Sequence, residues 1–420
     1  MGMTMAEKIL ARASGKPVVH PGEYVTANID ILMGHDRSFY TGFSDMVKCG
    51  YDKVWDPNKI VVACDHSVPA ADIGFADRHR KMRGWVKAQG IKNFYDVGVG
   101  ICHQVLPEKG HALPGSLIVG GDSHTTTYGA FGCAATGIGY GEVTYVMAKG
   151  SLWFMVPESI RFLLNGTLPK GVSGKDIILH IAGKYSVEVA QYKSAEFLGH
   201  VAKILSMSQR MCISNMGVEI GAKFAMFEAD EKTLAYLRER TSHTIQPFGP
   251  DPDAQYEKSY DIDVSSLEPQ VACPHNIDNV KPVTQVGDVP VHQAYLGSCT
   301  NGREDDLEQA AAILKGRKIA PGTRLLVIAA SQDVYNKLAR SGAVQIFMEA
   351  GAMVCPSCCG PCAGTKMGVI GPEETAISTT NRNFKGRMGS PEGFVYLASP
   401  ATVAASAVEG KITDPRKYLG

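Results

Sequence analysis

Four cysteines, Cys355, Cys358, Cys359 and Cys362, fall within eight residues in the run VCPSCCGPCAG. Thiols at that density point to metal or redox chemistry rather than to a disulfide framework. Three chemistries use this spacing. Cys359-Gly-Pro-Cys362 has the form of a thioredoxin-like dithiol. Cys355-x-x-Cys358 beside Cys359-x-x-Cys362 has the spacing of a zinc site, although the adjacent Cys358 and Cys359 diverge, which makes one tetrahedron awkward. An iron–sulfur cluster takes cysteine pairs at the same spacing. The plain alternative is a set of inert buried thiols. Cys299, in GSCTNGR, bears on the choice. Taken with Cys359 and Cys362 it makes three thiolates for a four-iron cluster, and one iron then keeps an open position. Lewis-acid chemistry on a hydroxyl or carboxylate requires such a position.

A second group of residues handles protons. Asp65-His66, His103 and Asp122-Ser123-His124 offer imidazole–carboxylate pairs, which set a tautomer and tune a pKa. A lone histidine is ordinarily a core or surface residue, but three at successive strand ends outweigh that reading. Asn215 and Glu219 stand four apart in ISNMGVEIGAK and are expected on one helix face, where the bland reading is a solvated pair. Asn381, Arg382 and Arg387 lie in NRNFKGR. Guanidinium forks suit bidentate carboxylate binding, and a surface loop is the bland reading there. Two decoys are set aside: Gly137-Ile138-Gly139-Tyr140-Gly141 is not a dinucleotide fingerprint, and Gly360 to Lys366 is not a P-loop.

These groups recur at one kind of place, the end of a short apolar run. Ile60-Val61-Val62-Ala63 leads into Asp65-His66, and Phe94-Tyr95-Asp96-Val97 towards His103. Leu117-Ile118-Val119 leads into Asp122-Ser123-His124. Ala294-Tyr295-Leu296 leads into Cys299, and Ala352-Met353-Val354 into the cysteine cluster. Buried parallel strands read as such runs, and open α/β sheets bind ligands beyond the carboxyl ends of their strands. One shared cleft is expected. Helices are expected over Glu142 to Lys149 and Leu307 to Leu314, and the polar stretch from Asp261 to Pro290 reads as a linker. An α/β fold of three lobes follows, over 1–155, 156–280 and 281–420.

Composition narrows the class. In 420 residues, 42 Lys+Arg balance 42 Asp+Glu, so the basic footprint of a nucleic-acid binder is absent. The start, MGMTMAEKILARASGK, has neither the form of a signal peptide nor that of a myristoylation site. No apolar run approaches the ~20 residues of a membrane span. A cytoplasmic protein with reduced thiols is expected.

Taken together, GICHQVLPE, GGDSHTTTYGAFG, SNMGVEIGA, GSCTNGR, CGPCAG and TNRNFKGR resemble the aconitase superfamily, in particular the large subunits of 3-isopropylmalate dehydratase and homoaconitase. The resemblance covers nearly the whole chain. It implies a [4Fe-4S] cluster, one per chain, held by Cys299, Cys359 and Cys362 with one iron not ligated by protein. It implies active-site roles for Asp65, His66, His103, Asp122, His124, Asn215 and Glu219, with Ser123 at the substrate, and a substrate-carboxylate loop of Asn381, Arg382 and Arg387. The reaction implied is dehydration and rehydration of a hydroxy dicarboxylate, with 3-isopropylmalate in leucine biosynthesis first, and homoaconitate or a smaller alkylmalate or maleate next. A dithiol oxidoreductase or zinc scaffold is the alternative from another class. The family's serine base and a further arginine lie on a fourth, mobile domain, to which no segment before Gly420 is assigned. A separate small subunit carrying that serine is therefore the expected partner. The loop HDRSFYTGF, from Asp36 to Tyr40, departs from the family's run leading to a glutamine.

Overall fold

The computed structural model describes residues 2–364 and 367–420; Thr365 and Lys366, which end the Gly360 to Lys366 stretch, lie outside the described residues. Two compact units are formed. The first holds the chain through Asn165 together with Ala190–Ile262, and the second holds Gly166–Val189 together with Asp263–Gly420. The stretch 156–280, expected as one lobe, contributes to both, because the helix Gly174–Tyr185 packs on strands of the second unit.

The first unit contains β1 (Tyr24–Asn28), β2 (Ile31–His35), β3 (Ile60–Ala63), β4 (Asn93–Tyr95), β5 (Leu117–Gly120), β6 (Ala134–Gly137), β7 (Ser151–Met155), β8 (Ser159–Asn165), β9 (Ser194–Leu198), β10 (Phe224–Phe227) and β11 (Lys258–Asp263). A five-stranded sheet runs β4-β3-β2-β5-β6 with every neighbour parallel. Each residue of β3 (IVVA) and β5 (LIVG) is buried, as strands covered on both faces must be. At the centre lies β2, whose apolar run ends in His35-Asp36. The order β10-β9-β8-β11 makes a second sheet, parallel where β9 meets β8 and β10, and β1 pairs with β7 in an antiparallel ribbon.

The second unit contains β12 (Gln270–Ala272), β13 (Val280–Pro282), β14 (Gln293–Leu296), β15 (Arg324–Val327), β16 (Met353–Val354), β17 (Thr375–Ser378) and β18 (Phe394–Ala398), in the order β13-β12-β18-β17-β14-β15-β16. From β18 to β16 the sheet is parallel; at β18–β12–β13 it turns antiparallel. Its core joins Leu296, Leu325, Val327 and Ile377 to Leu307 and Leu314 of the helix Glu304–Leu314 and to Val403. The linker reading of Asp261 to Pro290 is corrected here. Val271 and Ala272 are fully buried and pair with Ala398 and Leu397. Three-residue strands are too short to impose a periodicity on a polar sequence.

The expected helix over Glu142 to Lys149 runs Tyr140–Lys149. Among the described residues, no helix is long and apolar enough to cross a membrane.

Candidate active site and cysteine centre

In the first unit, β2, β3 and β5 deliver their carboxyl ends to one network. Asp122, after β5, is its hub. It caps the 3-10 segment Ser123–Phe131 by accepting from the His124 N–H at 2.8 Å, so its carboxylate is held by the turn it starts. That segment lies close against β10 because Gly129 has no side chain; a Cβ there would collide with the carbonyl oxygen of Ala225.

Three imidazoles converge closely on Asp122, and a fourth, His35, has Nε2 3.9 Å from its Oδ2. His103 Nε2 lies 2.9 Å from Oδ1, His66 Nε2 3.2 Å from Oδ2, and His124 Nδ1 3.5 Å from Oδ1. Each imidazole has a second partner. His66 Nδ1 meets Asp65 Oδ1 at 2.7 Å, His124 Nε2 meets Glu219 Oε1 at 2.8 Å, and His103 Nδ1 meets the Tyr128 hydroxyl at 3.1 Å. An imidazole facing carboxylate oxygens at both nitrogens can donate to both only as the imidazolium, and His66 and His124 are both in that position, His66 with the greater exposure. Asp65 is completed by the backbone N–H of Cys102 at 2.7 Å.

Electrostatics favour the ionised carboxylates. Burial pushes the Asp122 carboxyl upward, but His103, His124 and His66 hold it well below the ordinary range. Burial also opposes the ionisation of Asp65, and His66 and His35 outweigh it. Most of the network is sealed. The side chains of Asp65, His103 and His124 are 0%, 2% and 6% exposed, against 15% for His66 and 13% for Asp122. His66 and Asp122 are therefore the network's outlet.

Sequence reasoning missed His35 as a network member and noted Asp36 only as part of a divergent loop. Asp36 accepts from three successive backbone N–H groups, those of Asp65 at 3.2 Å, His66 at 2.8 Å and Ser67 at 2.8 Å, and so shapes the turn carrying the Asp65–His66 pair. His35 stacks on His66 with ring centroids 3.9 Å apart. Its Nδ1 accepts from the Arg37 N–H at 3.2 Å, so Nε2 donates to the Gly121 carbonyl at 2.9 Å. Burial, then His66, lowers the His35 pKa to about 4. The missed signal was available, since β2 is the same apolar run ending in a polar pair. His35, Asp36, Asp65 and His66 bring ligand-type atoms within 4.8 Å of one another. All four are already engaged in the bonds just described, which makes them a hydrogen-bond network rather than an open cation cage.

Two further expectations are revised. Asn215 ends the helix Met207–Asn215, and Glu219 lies in the 3-10 turn Met216–Ile220, so no single α-helical face carries both. Both nevertheless reach the Ser123–Phe131 segment, Glu219 through His124 and Asn215 by donating to Thr127 Oγ1 at 2.8 Å. Asn215 is fully buried, which makes it a support of that segment. Ser123 Oγ lies 3.4 Å from His124 Nδ1. Tyr40 stacks on Trp85 at 5.2 Å with the Arg78 guanidinium over its ring at 5.4 Å from the centroid, and both rings are half-buried.

In the second unit, β14 leads into a tight turn at Gly297-Ser298-Cys299. Ser298 takes a left-handed φ of 69°, and its hydroxyl accepts from the Thr300 N–H at 3.1 Å. Arg303 is buried and spends its guanidinium on the turn, donating to the carbonyls of Thr300 at 2.7 Å and Cys299 at 2.6 Å. Asp306 receives the Asn301 amide at 2.9 Å and the Arg303 N–H at 3.1 Å, and burial pushes its carboxyl up to about 7.

The Asn381 amide links two cysteines. Nδ2 donates to Cys299 Sγ at 3.6 Å and to Thr300 Oγ1 at 3.0 Å, while Oδ1 lies 3.8 Å from Cys362 Sγ. Arg387 Nη2 lies 3.6 Å from the same Cys362 sulfur. Cys359 stands at the start of the 3-10 turn Gly360–Ala363 and Cys362 lies within it, and the Tyr295 hydroxyl donates to the Cys359 carbonyl at 3.4 Å. Burial raises the Tyr295 pKa, and Cys362, Cys358 and Cys359 add to it. Amide and guanidinium N–H groups aimed at sulfur suit anionic thiolates, so this donor set fits an iron–sulfur group. Cys358 is buried and Cys355 half-buried. Asn381, expected at the substrate, is fully buried and serves the sulfurs; Arg382, its neighbour, is half-buried.

Comparison with known proteins agrees with this chemistry. The model of the aconitase family (aconitate hydratase) matches residues 7–289 and 279–410. A probable 3-isopropylmalate dehydratase large subunit of Methanothermobacter thermautotrophicus is 53% identical over 415 residues, 99% of both chains. The 3-isopropylmalate dehydratase large subunit 1 of Methanopyrus kandleri is 51% identical over 419 residues, all of both chains. A probable methanogen homoaconitase large subunit of M. thermautotrophicus is 47% identical over 422 residues, 100% of this chain and 99% of the other. Among solved structures, aconitase X of Thermococcus kodakaraensis aligns with a TM-score of 0.49 and 10% identity, over 85% of this chain and 84% of that one. With a family match extending over almost all of its length, this chain belongs to the aconitase family.

Proposed function

We propose that the chain is the large subunit of a [4Fe-4S]-dependent hydro-lyase that interconverts 2-isopropylmalate and 3-isopropylmalate by removing and re-adding water. The observation that carries this reading is the imidazole–carboxylate network centred on Asp122, with its outlet at His66 and Asp122. Full-length relatives named as 3-isopropylmalate dehydratase large subunits support the substrate.

Cys299, Cys359 and Cys362 hold the cluster in this reading, one per chain. Its remaining iron, without a protein ligand, supplies Lewis acidity towards the substrate's hydroxyl and carboxylate. His66, as an imidazolium between Asp65 and Asp122, delivers a proton to the departing hydroxyl and recovers one when water returns. Asp65 holds the Nδ1 proton in place. His103, and His124 backed by Glu219, keep Asp122 ionised while His66 changes charge. Ser123 and Arg382 are assigned to the substrate's polar groups, and Arg387 is shared between carboxylate and Cys362. The α-proton is left to a serine on a separate small subunit, a partner supported by the relatives' designation as large subunits. The division into three lobes over 1–155, 156–280 and 281–420 is kept as a proposal for the three larger sheets, with the helix Gly174–Tyr185 and strands β12 and β13 crossing its second boundary.

A second reading, homoaconitase, is favoured by the 47% identical relative of that name. The deciding experiment reconstitutes the chain anaerobically with iron and sulfide, adds a small subunit, and supplies 3-isopropylmalate or homoaconitate separately. Turnover of 3-isopropylmalate alone supports the proposal, and turnover of homoaconitate alone transfers it to the second reading. A fully loaded complex that turns over neither sinks both.

A further inference from the structure

Lys175 lies in the first turn of the helix Gly174–Tyr185, more than a hundred residues before the cysteines, and is 0% exposed. A buried ammonium is tolerated only where its N–H groups are used, and removing such a group's partners is strongly destabilising. Lys175 Nζ donates to the Thr379 carbonyl at 3.1 Å and to the Thr380 carbonyl. Those carbonyls stand where the chain leaves β17, beyond the last strand residue, Ser378.

The next residue is Asn381, whose amide joins Cys299 to Cys362. Thr379 ties the same segment to the Cys299 turn. Its N–H donates to the Tyr295 carbonyl at 3.0 Å, and its hydroxyl accepts from the Gly297 N–H at 2.9 Å. Residues 379–381 thus form a crossbar between the two cysteine turns. Lys175 grips the backbone of that crossbar. The helix is fastened to this unit independently, since Asp176 receives the Ser173 N–H at 2.8 Å and the Gln270 N–H at 2.8 Å. The lysine's position is therefore set by the fold and not by the crossbar it holds.

We propose that Lys175 is a positioning residue for the iron–sulfur site, holding Thr379 and Thr380 so that Asn381 Nδ2 meets the Cys299 sulfur. The proposal rests on the cluster reading given above. Groups that orient ligands from behind the first layer commonly change metal affinity by about 10–100-fold when removed.

The test compares wild type, Lys175→Met, Lys175→Gln and Lys175→Arg after anaerobic reconstitution with iron and sulfide. Two quantities are read: the rate of iron loss to the chelator bathophenanthroline disulfonate, and the melting of each apo-protein. The expected result is iron loss at least tenfold faster in Lys175→Met and Lys175→Gln, with Lys175→Arg closer to wild type. If Lys175→Met does not fold, Lys175→Gln, which still donates, carries the comparison. Wild-type iron retention in either folded neutral variant overturns the proposal. So does a lowered apo-protein melting temperature with unchanged iron loss, which assigns the lysine to fold stability alone. A wild-type chain that takes up no cluster defeats the underlying reading instead, and is distinguished by that.

Discussion

The two chemical centres handle buried charge in opposite ways. In the first unit, Asp65 and Asp122 are driven towards ionisation by the imidazoles packed on them, and the outlet stays partly open at His66. In the second unit, the cations Arg303 and Lys175 are spent on backbone carbonyls, and the buried carboxylates go the other way. Burial pushes Asp306 up to about 7 and Asp176 up to about 6. A centre that moves protons needs contiguous acid–base partners of shifting charge. One that holds a cofactor needs its loops immobile, and carbonyl-bound cations and carboxyls that accept backbone N–H groups serve that end.

The largest effect should come from breaking the second centre. Cys299→Ser is expected to lower activity about 1,000-fold or more, because Lewis-acid stabilisation is worth several kcal/mol. Iron per chain should fall with it, while circular dichroism stays that of wild type. Retained activity without iron would erase the division of labour.

His66→Gln should cost about 10²–10⁴ in kcat with iron and sulfide contents unchanged. Loss of the cluster in this variant would mean that the centres are not separable.

Arg387→Lys sharpens the cysteine side. The fork that reaches Cys362 is replaced by a point charge, and iron loss should quicken about tenfold. The His66-dependent pH profile of the remaining activity should not move.

The smallest effect is in stability, and it has opposite signs at His35 and at Asp306. His35 has its pKa lowered to about 4, so between that value and its ordinary 6.5 the unfolded chain binds the extra proton; stability falls on acidification through this window. Asp306 has its pKa raised to about 7, so the folded state binds the extra proton above 3.8; stability falls as pH rises towards 7. Each contribution is on the order of 3 kcal/mol. Melting curves from pH 4 to 8 should be less acid-sensitive in His35→Asn and flatter on the alkaline side in Asp306→Asn. Glu196, raised by burial to about 7, titrates in the same window, so the readout is the difference between variant and wild type. Identical curves would remove the contrast.

Much of this was legible in the chain because the chemistry sits at strand ends. Runs such as IVVA before Asp65-His66 and LIVG before Asp122 announce buried parallel strands, and polar residues following them have few places to go. The run ILMG before His35-Asp36 carries the same signal. It was passed over because its polar pair was weighed only as a divergent loop. Asn215 and Glu219 were found as a pair, but the switch from α to 3-10 geometry after Asn215 leaves no mark in residue type.

Residue identity and spacing by themselves pointed to groups suited to metal or redox chemistry, to groups suited to proton exchange, and to buried parallel strands. Those are properties of side-chain chemistry and of short apolar runs. Only the tertiary structure decided that Asp122 is the hub, that Asp36 shapes the Asp65–His66 turn, and that Asn381 bridges sulfurs. It alone brought Lys175 to the Thr379 and Thr380 carbonyls. Such contacts join residues from 19 to more than 200 positions apart, and their partners are set by sheet order and burial, which no local pattern encodes.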